Sequence, residues 1–136
     1  MDTVTKEQRS VIMSRIRGKN TKPEMMVRRV AHSLGLRFRL HRKDLPGSPD
    51  LVFVRRRKAM FVHGCFWHRH SECRKAYTPK SNAAFWQQKF ARNVERDVAA
   101  QAKLLAAGWD PVIVWECEAS AADLPDRLRH LVVDAA

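Results

Sequence analysis

A chain of 136 residues, 45% hydrophobic and 29% charged, carries enough apolar material for one globular core, and no apolar run approaches a membrane span. Three cysteines, an odd number, argue against a disulfide framework, and the start Met1-Asp2-Thr3-Val4-Thr5-Lys6 lacks a secretory apolar region, which places the chain in the cytoplasm. The net charge of +12 is uneven: residues 1–43 hold 12 Lys and Arg against Asp2, Glu7 and Glu24, a net +9, and such asymmetry suits a polyanionic partner, nucleic acid above all.

Thr5 or Asp2 caps an expected first helix running to about Arg17, with Val4, Val11, Ile12 and Ile16 as its apolar positions, and Gly18-Lys19-Asn20 ends it. Thr21-Lys22-Pro23-Glu24 restarts a helix, with Thr21 as cap, Pro23 in the first turn and Glu24 at the capping-box position. Met26, Val27, Val30, Ala31 and Leu34 then recur at helical spacing until Gly35. Leu36 to Leu40 alternates like a half-buried strand, and His41 to Ser48 is a loop. Asp50 to Val54 reads as a buried strand, Arg55 to Lys58 as a basic turn, and Ala59 to Val62 as the hairpin partner.

An irregular segment follows through Pro79. A helix is then expected from about Asn82 to Ala107, with Phe85, Trp86, Phe90, Val94, Val98 and Leu105 among its inner-face candidates. Pro111 to Trp115 forms a last strand and Leu124 to Val133 a last helix; Trp109 and Trp115 are assigned to the core. This order predicts a single α/β domain spanning residues 1–136, a mixed sheet flanked by helices, with the basic segment 1–20 ordered or repositioned on DNA.

The densest chemistry lies in Met60-Phe61-Val62-His63-Gly64-Cys65-Phe66-Trp67-His68-Arg69-His70-Ser71-Glu72-Cys73. Cys65, His70 and Cys73, with Cys117 from the end of the last strand, are expected to supply the three thiolates and one imidazole of a closed structural zinc site, the alternative being that Cys117 is a small buried residue near a strand end. The polar segment between the strand and the long helix buries too little to order itself, so metal binding is expected to fold it. His63 and His68 are left over, and strand pairing brings Asp50 near them. A carboxylate holding Mg²⁺ beside an imidazole able to take a proton from water is a minimal phosphodiester-hydrolysis site. Either histidine could instead serve as a zinc ligand or a phosphate contact, and Pro49-Asp50 also reads as a turn before a strand.

The set Pro49-Asp50, His63-Gly64-Cys65-Phe66-Trp67-His68, Phe85-Trp86, Asn93-Val94-Glu95-Arg96-Asp97, Gly108-Trp109 and Val114-Trp115-Glu116-Cys117 resembles the very short patch repair endonucleases, as do Arg9-Ser10-x2-Met13 and Thr21-x2-Glu24. Members of that family nick one strand of duplex DNA beside the thymine of a T·G mismatch, the product of 5-methylcytosine deamination. The resemblance implies a divergent restriction-endonuclease-like sheet (PD-(D/E)XK type) with structural zinc and catalytic magnesium. It implies Asp50 as the magnesium carboxylate, His68 as the group that activates water, and Glu24, His63 and Asp97 in support. Val62 stands where some relatives have threonine, and its backbone carbonyl is the implied second magnesium ligand. One residue more separates His70 from Cys73 than in some members.

Phe66, Trp67 and Trp86 are candidates to wedge between base steps, which costs less at a mismatch than at a matched pair. The resemblance adds Met13 as a wedge from the other groove. Arg9, Arg15, Arg17, Lys19 and Lys22 are expected to grip phosphates without reading sequence. The implied partners are duplex DNA with a T·G mismatch and other mismatch-repair proteins, and a monomer is expected. Rival readings are a nuclease with another DNA target, such as invading DNA, and a zinc module that binds DNA without cutting it.

Overall fold

A computed structural model describes residues 20–134. The expected first helix lies outside them, and with it Arg9, Met13, Arg15, Arg17 and Lys19. Helix α1 (Lys22–Ser33) begins where the cap signal predicts: the Thr21 hydroxyl accepts from the Glu24 amide at 3.4 Å, Pro23 sits in the first turn, and Gly35 closes the far end at φ 75°. Strand β1 shrinks to Arg39–Leu40, shorter than the alternating run suggested. Strand β2 (Leu51–Phe53) starts one residue after Asp50, and a 3-10 turn (Val54–Arg56) leads into β3 (Lys58–His63). Helix α2 (Ala83–Ala106), strand β4 (Asp110–Trp115) and the short helices α3 (Glu116–Ala119) and α4 (Leu124–Leu128) follow. The expected last helix changes to a π-helical turn at Arg129–Asp134.

The sheet has the order β1-β2-β3-β4, antiparallel through the β2–β3 hairpin and parallel between β3 and β4, so the mixed sheet expected from the sequence is present. Strand alternation divides its side chains between two faces. Leu51, Phe53, Met60, Val112 and Val114 meet Val27 and Ala31 of α1 and the C-terminal residues Leu124, Leu128 and Val132. Val52, Ala59 and Phe61 meet Leu104 of α2 and the buried Trp109. Among the described residues helices therefore cover both faces, with α2 alone on one of them. Lys58 Nζ pairs with Asp110 Oδ2 at 2.5 Å, clamping the first residues of β3 and β4 together. Among the described residues no helix is long and apolar enough to cross a membrane.

The inner face of α2 is only in part the one the apolar pattern suggested: Trp86 and Phe90 are buried as expected. Phe85, Val94, Val98 and Leu105 are exposed, and the buried positions are Trp86, Phe90, Asn93 and Leu104. Asn93 explains the rotation: it is 3% exposed and its amide donates to the Trp67 carbonyl at 3.1 Å. With Asp97 half-buried on the same stripe, two polar residues occupy inward positions that a search for apolar periodicity passes over.

Candidate active site and metal centre

The end of β3 and the end of β4 lie side by side, His63 opposite Trp115, so the segments that leave them are held together. This brings Cys117 from α3 to the loop after β3. One ligand atom from each of Cys65, His70, Cys73 and Cys117 falls within 4.8 Å of the others. His70 Nδ1 lies 3.6 Å from Cys65 Sγ and 3.4 Å from Cys117 Sγ. A tetrahedral zinc with ordinary bond lengths requires an S···N edge of about 3.5 Å, so the donors fit the ion. Burial pushes the Cys65 thiol up to about 12, while the Lys75 amide, as a hydrogen-bond donor, holds the Cys73 thiol below its usual range. The His70 ring stacks on Trp115 at 4.3 Å, and Glu116 accepts from the Cys65 amide at 3.3 Å. Trp115, assigned to the core, is half-buried and stands between His70 and His63, in edge contact with the latter.

The cluster does not order the loop alone. Arg69, in a left-handed backbone conformation, donates to the carbonyls of Phe66, Ala76 and Tyr77 and to the Thr78 hydroxyl, and its guanidinium lies 3.9 Å from the Phe90 ring centre. Sequence reasoning missed this staple, because nothing local separates Arg69 from the other arginines.

A cleft of about 540 Å³ opens between the loop before β2 and the inner stripe of α2, lined by Asp50, Val62, His63, His68 and Asp97 among others. Asp50 Oδ2 accepts from the Val62 amide at 2.8 Å. Within a strand a residue's N–H and C=O point to the same side, so the Val62 carbonyl also faces Asp50. Burial raises the Asp50 carboxyl to about 6, with a further push from Glu24. His68 Nδ1 lies 2.6 Å from Asp97 Oδ2. His63 stacks parallel on His68 at 3.8 Å and reaches the other Asp97 oxygen at 4.0 Å. Burial, and next the neighbouring His68, lower His63 to about 3, so it stays neutral near pH 7. Asp97 is thus half-buried and paired with His68, not a solvated charge on the helix surface.

Glu24 is also placed at this site. It is 2% exposed, and its Oε2 lies 2.8 Å from His41 Nε2 rather than serving only the start of α1. Glu24, His41 and Asp50 form a third group with ligand atoms within 4.8 Å of one another. In the sequence His41 is simply the first residue of a loop; its one local signal is that it follows a strand and precedes Pro46-Gly47.

Phe66 and Trp67 are half-exposed, and Phe66 lies at the centre of an aromatic cluster with Trp67, Tyr77, Trp86 and Phe90, at centroid distances from 5.0 to 5.6 Å. Trp86, expected either as a wedge or on the inner face of its helix, is 6% exposed and packs against the other two from the core side. Lys22 is exposed on the first turn of α1.

Fold and cleft together define an α/β protein in which a carboxylate and an oriented imidazole share one groove beside a Cys3His cluster. The family model of the DNA mismatch endonuclease Vsr matches residues 1–75. The chain is 49% identical over 132 residues to the type II nicking enzyme V.XorIIP of Xanthomonas oryzae pv. oryzae, covering 96% of each chain. It is 39% identical over 116 residues to the DNA mismatch endonuclease Vsr of Escherichia coli, covering 85% of this chain and 74% of that one. The chain belongs to the DNA mismatch endonuclease Vsr family, and it is a DNA endonuclease.

Proposed function

We propose that the protein nicks one strand of duplex DNA beside the thymine of a T·G mismatch. Cys65, His70, Cys73 and Cys117 would hold zinc, and Asp50 with the Val62 carbonyl would hold magnesium. The observation that carries this reading is the His68–Asp97 contact of 2.6 Å in the groove that Asp50 enters. A carboxylate only accepts, so His68 Nδ1 carries the hydrogen and Nε2 keeps its lone pair for a proton from water. Asp97 then steadies the imidazolium that forms. Neutral His63, stacked on the ring, adds no opposing charge. Bound magnesium would supply positive charge at the scissile phosphate. Glu24 supports Asp50 from α1.

Phe66 and Trp67, on the rim, would press into the base stack with Trp86 behind them, and a mismatched step yields at lower cost. Met13 would act from the other groove, and Arg9, Arg15, Arg17, Lys19 and Lys22 would hold the backbone. The name of the Escherichia coli relative supports a mismatch as the target.

The test is a denaturing gel of zinc-loaded protein with Mg²⁺ on a duplex carrying one T·G pair and on its matched counterpart. A single nick beside the thymine, in the first duplex alone, is expected. Equal cutting of both would reject the mismatch role, and full activity in Asp50→Asn would reject the site.

A further inference from the structure

His41 has a left-handed backbone (φ 48°), a conformation disfavoured for a residue with a Cβ, in the loop between β1 and β2. Its amide donates to the Asp50 carbonyl at 3.1 Å, so the loop ties it to the residue that lines the cleft. Its Nε2 reaches Glu24 Oε2 at 2.8 Å, and Arg28 Nη1 approaches the same oxygen at 3.5 Å. Because a carboxylate cannot donate, Nε2 carries the hydrogen. Both donors meet Oε2, which leaves Oε1 as the oxygen with capacity for another partner. Glu24 is buried, and one of its carboxylate oxygens lies within 4.8 Å of a carboxylate oxygen of Asp50, a spacing at which two acids can share one cation.

We propose that His41 is a positioning residue: it holds the Glu24 carboxylate beside Asp50, and the two acids together receive the divalent cation. The inference deepens the reading of Asp50 as the cation ligand and rests on it. A hydrogen bond that fixes a ligating carboxylate sets the affinity of a metal site without touching the metal, and its loss typically weakens binding tenfold or more. A neutral donor is sufficient for this role. His41 need not ionise.

The experiment titrates Mn²⁺ into zinc-loaded protein and follows free Mn²⁺ by electron paramagnetic resonance, in the native chain and in H41L, H41Q and D50N, each checked by thermal melting. H41L should weaken Mn²⁺ binding about tenfold. It should raise the Mg²⁺ concentration for half-maximal nicking by the same factor, with the KM for DNA unchanged. H41Q, whose amide nitrogen can stand where Nε2 stands, should remain near the native affinity. Native Mn²⁺ affinity in H41L would overturn the inference. So would an H41Q as weak as H41L, since the imidazole itself would then be the ligand. Loss of binding in D50N with none in H41L refutes His41 alone; native binding in D50N removes the Asp50 reading beneath it. Should H41L melt too low for assay, H41N, whose amide falls short of Oε2, replaces it.

Discussion

In the proposed mechanism Asp97 decides which nitrogen of His68 keeps a lone pair, and the decision depends on its being unable to donate. Asp97→Asn keeps the shape and loses that constraint, because an amide can both accept and donate and carries no charge to steady an imidazolium. Single-turnover nicking should fall about a hundredfold or more, while DNA affinity stays within a factor of about two. Two other groups at the site respond to acid in opposite senses. His63 is lowered to about 3, so between there and its ordinary value the unfolded chain binds the extra proton, and stability falls as pH drops below about 6.5. Asp50 is raised to about 6, so the folded chain binds the extra proton and gains stability as pH drops through that value. From pH 7 to pH 5, without divalent cation, the His63 effect costs about 2 kcal/mol and the Asp50 effect returns about 1 kcal/mol. Urea denaturation should therefore show H63Q holding its stability better than the native chain on acidification, and D50N losing more. Parallel behaviour of all three proteins would mean that neither group is shifted as the burial implies.

At the level of elements, the cleft depends on how closely the loop before β2 approaches α2. Gly47 makes the approach possible: it sits at φ 78°, and a Cβ there would lie 2.7 Å from the Ala100 Cβ and 3.1 Å from the Phe61 ring. Gly47→Ala should cost about 2 kcal/mol or more in stability and lower nicking, because Asp50 moves with the loop. Adding Ala100→Gly should return part of the loss, a coupling that a double-mutant cycle in denaturant reads directly. The loop after β3 has a second dependence. Stripping zinc with a chelator should expose the stretch around Arg74 and Lys75 to trypsin and abolish nicking, and readdition of zinc should restore both. Much of this scaffold is legible in the sequence, since Thr21 and Pro23 mark α1 and the β-branched runs mark β2, β3 and β4. The Cys3His cluster follows from residue chemistry, whereas Asp97 enters the site only through the family resemblance, which does not pair it with His68. His41 and Arg69 stayed hidden because both act through left-handed backbone positions and contacts that local patterns do not encode. The apolar pattern finds Trp86 and Phe90 on the inner face of α2 but not the rest of it, because Asn93 and Asp97 point inward against the apolar rule. The parallel pairing of β3 with β4, which carries Cys117 to its partners, has no local signature at all.

For the molecule as a whole, positive charge and loop aromatics make separable demands on DNA. Charge is concentrated in residues 1–43, at a net +9, and the cleft carries Arg96 and Lys103 on its lining. Phosphate contacts release counterions whatever the bases are, so they set affinity and its salt dependence without discriminating between duplexes. Phe66 and Trp67 can act only where a step opens, so they should set discrimination with little influence on salt dependence. Replacing Arg9, Arg15, Arg17, Lys19 and Lys22 by glutamine should flatten the slope of log affinity against log salt by about 4, equally for T·G and matched duplexes. Phe66→Ala with Trp67→Ala should leave the slope within about one unit and collapse the preference for the mismatch. Fluorescence anisotropy of both duplexes across a salt series, with zinc present and magnesium replaced by calcium, separates the two. If the aromatic pair changed the slope as much as the basic set, Phe66 and Trp67 would be ordering the basic segment instead of probing the base stack. Recognition would then be a property of the charged surface, and the division of labour between groove and backbone would fail.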